Sequence, residues 1–234
     1  VCKNYCEWIK NGLPSIKVSV NFSPKQFYEE NFVDDILDII NQYELNPDFL
    51  IIEITESTFL KNQDTIIKNL KKLKSHGIQI AIDNIGKGYS SLLYLSSFNV
   101  DIVKIDKSFT GNISLNENNK SIIKLIVNVA RELKIKLVAE GIETVEELLY
   151  LKSINCYTGQ GFIFSKPLEV EDFEKLLKEG NVKSVLFKDL ANVPFAERRK
   201  FFRINFLQLL EGDLTVQEIR GKKINVGNTK ILIN

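Results

Sequence analysis

A chain of 234 residues, 44% hydrophobic and 26% charged, has room for one sizeable globular domain, or for one domain and part of another. Its 31 Lys and Arg against 30 Asp and Glu leave a formal charge of +1, which argues against DNA, RNA or a membrane surface as partner but not against a small phosphate ligand. Three cysteines and one histidine fit neither a disulfide framework nor a zinc site, and no apolar run approaches the roughly 20 residues of a membrane span, so a reduced, cytoplasmic segment of a longer protein is expected, one that could be membrane-anchored elsewhere.

Cys2 and Cys6 lie four apart, the spacing of one helix face. From Lys17 onward, short runs rich in Ile and Val alternate with helical patterns. Val18–Phe22 reads as the first strand, apolar on nearly successive positions, as in strands covered on both faces. A helix over Gln26–Tyr43 follows, then a strand over Leu50–Ile54 and a helix over Asp64–Ser75. Gly77 comes after that helix's lysine-rich end and suits a left-handed cap, which makes His76 a helix-end residue rather than a ligand. Next come a strand over Ile78–Asp83, a helix over Ser91–Ser97, a strand over Ile102–Ile105, a helix over Asn118–Leu133 and a strand over Lys136–Ala139. Thr144 and Glu147 have the spacing of a capping box for a helix over Val145–Ser153. A strand over Gly161–Phe164 and a helix over Val170–Lys178, ended by Gly180, complete the pattern. Beyond it, Ala196–Arg203 is basic and aromatic, and Asp213–Ile219 and Thr229–Ile233 read as short β runs. The expected organisation is a domain over 1–180, a linker over 181–194 and the start of a β domain over 195–234, too short in strands to be complete.

Strand–helix alternation favours a parallel sheet with right-handed crossovers. Six strands in this rhythm leave two architectures: an open doubly wound sheet, or a (β/α)8 TIM-like barrel lacking its first strands. Asn21, Glu53, Glu56, Asp83, Asn84, Lys104, Asp106, Glu140, Glu143 and Gln160 cluster near strand ends. A barrel gathers such residues at one mouth, whereas an open sheet spreads them along an edge, so the barrel is favoured. The amide oxygen of Asn21 with the carboxylates of Glu53 and Asp83 suits a hard cation such as Mg2+ or Mn2+. Lys104 could hold a phosphate or orient a water, and Glu140 could ligate metal or accept a proton. Carboxylate-held metal beside a lysine points to phosphoryl chemistry with two ions. Each residue also has a plainer explanation: a solvated strand end, an ion pair of Lys104 with Asp106 or Glu140, or helix-entry acids at Glu140 and Glu143.

The segments Val18-Ser19-Val20-Asn21-Phe22-Ser23, Glu53-Ile54-Thr55-Glu56-Ser57, Asp83-Asn84-Ile85-Gly86-Lys87-Gly88-Tyr89-Ser90-Ser91, Val103-Lys104-Ile105-Asp106, Ala139-Glu140-Gly141-Ile142-Glu143-Thr144 and Gln160-Gly161-Phe162 resemble, in order, the motifs of the EAL family. The resemblance implies a barrel that hydrolyses cyclic di-GMP to linear pGpG with Mg2+ or Mn2+. It implies Asn21, Glu53 and Asp83 as metal ligands, Asn84 at the second-metal position, and Glu140 as metal-site or general-base carboxylate. It further implies that Lys104 contacts the attacking water, Glu143 supports Lys104 and the metal shell, and Gln160 positions water or substrate. Glu56 would brace the loop Gly86–Ser91, which the family uses near the second metal and the dimer contact, so a homodimer through the barrel is expected.

Two departures stand out. The Glu-Ala-Leu segment that names the family is not among these residues and is expected before Val1 with the first two strands; the 234 residues alone are therefore expected to be inactive. Asn84 stands where the family usually has Asp, followed by Ile85 in place of Phe. A missing unit charge at 4 Å is worth about 4 kcal/mol at an effective dielectric near 20, so a weakened second metal is expected. In the tail, Arg199 and Arg203 resemble the Arg-x-x-x-Arg signature of PilZ domains, which bind cyclic di-GMP; arginine forks suit its phosphates and guanines. The implied function is a metal-dependent cyclic di-GMP phosphodiesterase. The alternatives are a degenerate EAL domain that senses cyclic di-GMP without cutting it, and a scaffold that does neither.

Overall fold

The computed structural model describes residues 1–60, 63–86, 95, 98–111, 113 and 116–179, with the backbone of short strands at 203–205, 213–215 and 230–231. The Ile- and Val-rich runs form β1 (Val18–Phe22), β2 (Leu50–Thr55), β3 (Gln79–Ile85), β4 (Ile102–Ile105), β5 (Lys136–Ala139) and β6 (Thr158–Gly159). They pair in sequence order, each parallel to the next. Lys230–Ile231 continues the sheet beside β6, and Arg203–Asn205 pairs antiparallel with Asp213–Thr215.

Side chains alternate across a strand, so each strand presents two faces. Ile52, Ile54, Ile80, Ile82, Val103, Ile105 and Ala139 join the large core under the helices. The opposite parity places Ile51, Ala81, Ile102 and Val138 in a separate small apolar cluster. That second cluster is the inner layer expected of a barrel, where side chains from successive strands fill the interior.

The helices are α1 (Cys2–Lys10), α2 (Pro24–Phe27), α3 (Phe32–Gln42), α4 (Gln63–Ser75), α5 (Lys107–Thr110), α6 (Glu117–Glu132), α7 (Val145–Ser153) and α8 (Val170–Glu179). The expected capping box forms on α7: Thr144 accepts from the Glu147 amide, and the Glu147 carboxylate accepts from the Thr144 amide at 3.0 Å. Gly77 is left-handed at φ 82°, as a residue after a helix end should be. His76 Nδ1 bonds the Lys72 carbonyl at 2.9 Å, a helix-end role.

Two expectations need correction. The helix expected over 26–43 is two helices: the chain turns between them, the Glu29 amide bonding the Gln26 carbonyl and the Phe32 amide the Glu29 carbonyl, and Asn69 Nδ2 donates to the Phe27 carbonyl at 2.8 Å. Ser23 caps the first of them. The last strand lies at Thr158–Gly159 rather than 161–164, where the amides of Ile163 and Phe164 bond the carbonyls of Ile142 and Gly161 in a turn. Of the helix expected over 91–97 only Leu95 is described, and it is helical. The expected linker at 181–194 and Arg199 lie outside the described residues, and Arg203 is described as backbone alone. Among the described residues no helix is long and apolar enough to cross a membrane.

Candidate functional site

Strand register builds the site. Asn21 pairs with Glu53, Glu53 with Ala81, Ala81 with Ile102, and Lys104 with Val138. Counting two residues on from each member of the inner apolar cluster gives Glu53, Asp83, Lys104 and Glu140. A period of two keeps them on the same face, so a polar layer lies directly beyond the apolar one, toward the C-terminal strand ends.

Lys104 is the centre of that layer. Its ammonium lies 2.8 Å from Glu53 Oε2, 2.7 Å from Glu140 Oε1 and 3.9 Å from Asp83 Oδ1. Glu53 and Lys104 are each only 2% exposed. Burial pulls the Lys104 pKa down, but the Glu53 and Glu140 carboxylates outweigh it and hold the ammonium above its ordinary value. Burial raises the carboxyls of Asp83 and Glu140 and Lys104 opposes the rise; Glu53 adds to both, and Asp83 adds to that of Glu140. Three carboxylates facing one ammonium leave an excess of two negative charges when all are ionised.

The other expected residues fall around this centre. Asn21 is exposed and level with Glu53. Asn84 is left-handed at φ 58°, a conformation Asn tolerates, and its Nδ2 donates to Asp83 Oδ2 at 2.5 Å. Gln160 follows β6, its amide bonded to the Ala139 carbonyl at 2.8 Å, and its Oε1 is buried without a hydrogen-bond partner. Glu143 is exposed at the rim, its amide bonded to the Glu147 carboxylate. Glu56 opens the 3-10 turn Glu56–Leu60 and is half-buried, while residues 87–91 of the loop it was expected to brace lie outside the described residues. Asp106, one candidate partner of Lys104, caps α5 through the Ser108 amide.

The donor chemistry fits a hard divalent cation. Asp83 Oδ1 is buried and receives no hydrogen bond, and Gln160 Oε1 is in the same condition. Buried oxygens without donors are rare in folded proteins, and a cation satisfies them where water or an N–H does not. Among the described residues no three His, Cys, Asp or Glu side chains stand ready as a metal cage; the lysine ammonium lies between the carboxylates. Sequence reasoning missed Thr110 and Glu147, both buried around the Glu140–Thr144 turn; Glu147 was legible only as a cap.

Residues 1–167 match the EAL domain family. The "Bifunctional diguanylate cyclase/cyclic di-GMP phosphodiesterase MucR" of Pseudomonas aeruginosa is 34% identical over 170 residues, which are 73% of this chain and 25% of that protein. The crystal structure of the EAL domain of Mycobacterium smegmatis DcpA superimposes with a TM-score of 0.73 at 35% identity, covering 76% of this chain and 81% of that one. Klebsiella pneumoniae BlrP1, in its manganese and cyclic di-GMP complex, superimposes with a TM-score of 0.65 at 31% identity, covering 71% of this chain and 43% of that one. The chain spans about a quarter of the length of the curated relatives it matches.

Proposed function

The chain belongs to the EAL domain family, and from that premise we propose that it supplies the catalytic barrel of a metal-dependent phosphodiesterase that opens cyclic di-GMP to linear pGpG. The observation that carries this reading is the buried polar layer, in which Lys104 stands among Glu53, Asp83 and Glu140. Asn21, Glu53, Asp83 and Glu140 would hold Mg2+ or Mn2+, with Asn84 at the second position. Bound ions of this kind supply a nucleophilic water and neutralise charge on the phosphate. Lys104, held protonated by its acidic neighbours, cannot serve as the base; it donates to the attacking water or to a phosphate oxygen. Glu140 is the proposed proton acceptor: burial raises its carboxyl, and Lys104 at 2.7 Å opposes that rise while fixing the position of Oε1. Gln160 aims an unpartnered Oε1 at water or substrate, and Glu143 supports the shell from the rim.

One observation favours a second reading, a sensor that binds cyclic di-GMP without cutting it. Asn84 Nδ2 occupies Asp83 Oδ2, an oxygen that a second ion would need, and a neutral side chain there attracts that ion less than Asp does. The test is the full-length protein with Mn2+ and cyclic di-GMP, with products resolved by chromatography and binding read by calorimetry. Appearance of pGpG, lost in Lys104→Ala, supports the enzyme. Binding in EDTA with no pGpG at any Mn2+ concentration overturns it in favour of the sensor.

The tail carries a further proposal: Arg199 and Arg203 form a second cyclic di-GMP site of PilZ type, supported by the strand that begins at Arg203 and pairs with Asp213–Thr215. Three free cysteines suit a cytoplasmic setting, and a homodimer through the barrel is proposed on the family resemblance.

A further inference from the structure

The turn that presents Glu140 is fastened to the segment that presents Lys104. The Glu140 amide donates to the Ile105 carbonyl at 3.1 Å, which extends the β4–β5 ladder by one residue. The next backbone group, the Glu140 carbonyl, accepts a hydrogen bond from Thr110 Oγ1. Thr110 is fully buried at 0% exposure. Its hydroxyl has one proton and two acceptors in reach, but the Lys107 carbonyl is farther away at 3.3 Å, so the proton goes to Glu140. Gly141 follows at φ 65°, and a Cβ there would overlap Cβ of Lys107, so α5 lies directly against the turn. Thr110 thus brings a side-chain donor to the Glu140 backbone from the helix packed against the turn.

We propose that Thr110 is a positioning residue: by holding the Glu140 carbonyl it sets the height of the Glu140 carboxylate against Lys104. Both ends of the Lys104–Glu140 contact then belong to one short stretch, residues 104–110, which carries the ammonium at its start and the clamp at its end. A buried carbonyl left without its donor pulls away toward another partner, and the Glu140 Cα next to it, which carries the side chain and its carboxylate, moves with it. The inference rests on the phosphodiesterase reading only for its effect on turnover; the geometric claim is independent of it.

The test compares wild type, Thr110→Val and Thr110→Ser in the full-length protein. Thr110→Val keeps the shape and removes the donor, and it is expected to lower kcat for cyclic di-GMP by roughly tenfold to a hundredfold at nearly constant KM. Thr110→Ser keeps the donor and is expected to stay within about threefold of wild type. A merely structural role predicts a lower melting temperature with unchanged kcat per folded molecule; that result, or equal kcat losses in both variants, overturns the proposal. If wild type does not turn over cyclic di-GMP, the phosphodiesterase reading fails, and crystal structures of the two variants still decide the positioning claim. It requires the Glu140 carboxylate to leave Lys104 in Thr110→Val and to keep its 2.7 Å contact in Thr110→Ser. An unmoved Glu140 in Thr110→Val sinks it.

Discussion

At Asp83, charge and fold stability pull in opposite directions. Burial and the neighbouring Glu53 raise its carboxyl, Lys104 is 3.9 Å away, and Oδ1 has no donor. A neutral isostere removes repulsion without changing volume. Asp83→Asn is therefore expected to stabilise the metal-free fold by about 0.5–2 kcal/mol while turnover collapses. Urea denaturation in EDTA measures the first effect and product analysis the second; a destabilised variant would show that Asp83 is held by contacts rather than retained for chemistry. The sequence named every residue of the polar layer, because acids and a lysine at the ends of apolar strands break the hydrophobic pattern. It did not say which acid Lys104 meets. Asp106 and Glu140 were both open, and the ammonium lies against Glu140 and Glu53, the latter 51 residues away.

Among the described connecting elements, the turn from β5 into α7 is tightly constrained. Gly141 and Gly12 are both left-handed, at φ 65° and 73°. A Cβ at Gly12 would meet nothing within 4 Å, whereas one at Gly141 would strike Lys107. Backbone strain of about 1–3 kcal/mol applies to Ala at either position. The close approach of α5 is felt at Gly141 alone, so Gly141→Ala should cost at least about 1 kcal/mol more than Gly12→Ala in chemical denaturation. Equal costs would mean that α5 shifts away freely. The β5–α7 cap was legible because Thr144 and Glu147 signal it within four residues. The break between α2 and α3 was not, because a side chain that bonds the chain there, Asn69 on the Phe27 carbonyl, lies 42 residues later in sequence.

Across the whole molecule, the first and last helices of the described domain meet. Trp8 Nε1 on α1 donates to Glu174 on α8 at 2.9 Å, and its ring packs on Phe173 at 5.3 Å. This contact spans 166 residues, so its formation reports on the domain as a unit. Cys156 offers a chemical probe of the same unit. It is buried after α7, and burial pushes its thiol up to about 12. At pH 8 a thiol reagent should label Cys156 only at the rate of global unfolding, after the half-buried Cys2. Labelling of Cys156 as fast as Cys2 would show that this end of the barrel opens by itself.

The amino-acid sequence alone determined the first five strand-forming runs, the parallel sheet, the caps at α7 and Gly77, and the side chains of the polar layer. These are local matters: apolar periodicity, turn chemistry and polar residues at strand ends are all expressed within a few neighbours. Only the tertiary structure decided the register that lines up residues 53, 83, 104 and 140 above the layer of Ile51, Ala81, Ile102 and Val138. Register in a parallel sheet is set by packing between strands joined through long crossovers, and a slip of one residue would turn every one of these groups to the opposite face. The Thr110 clamp on Glu140 follows from that register, since it joins two segments 30 residues apart that touch only when β4 and β5 are aligned.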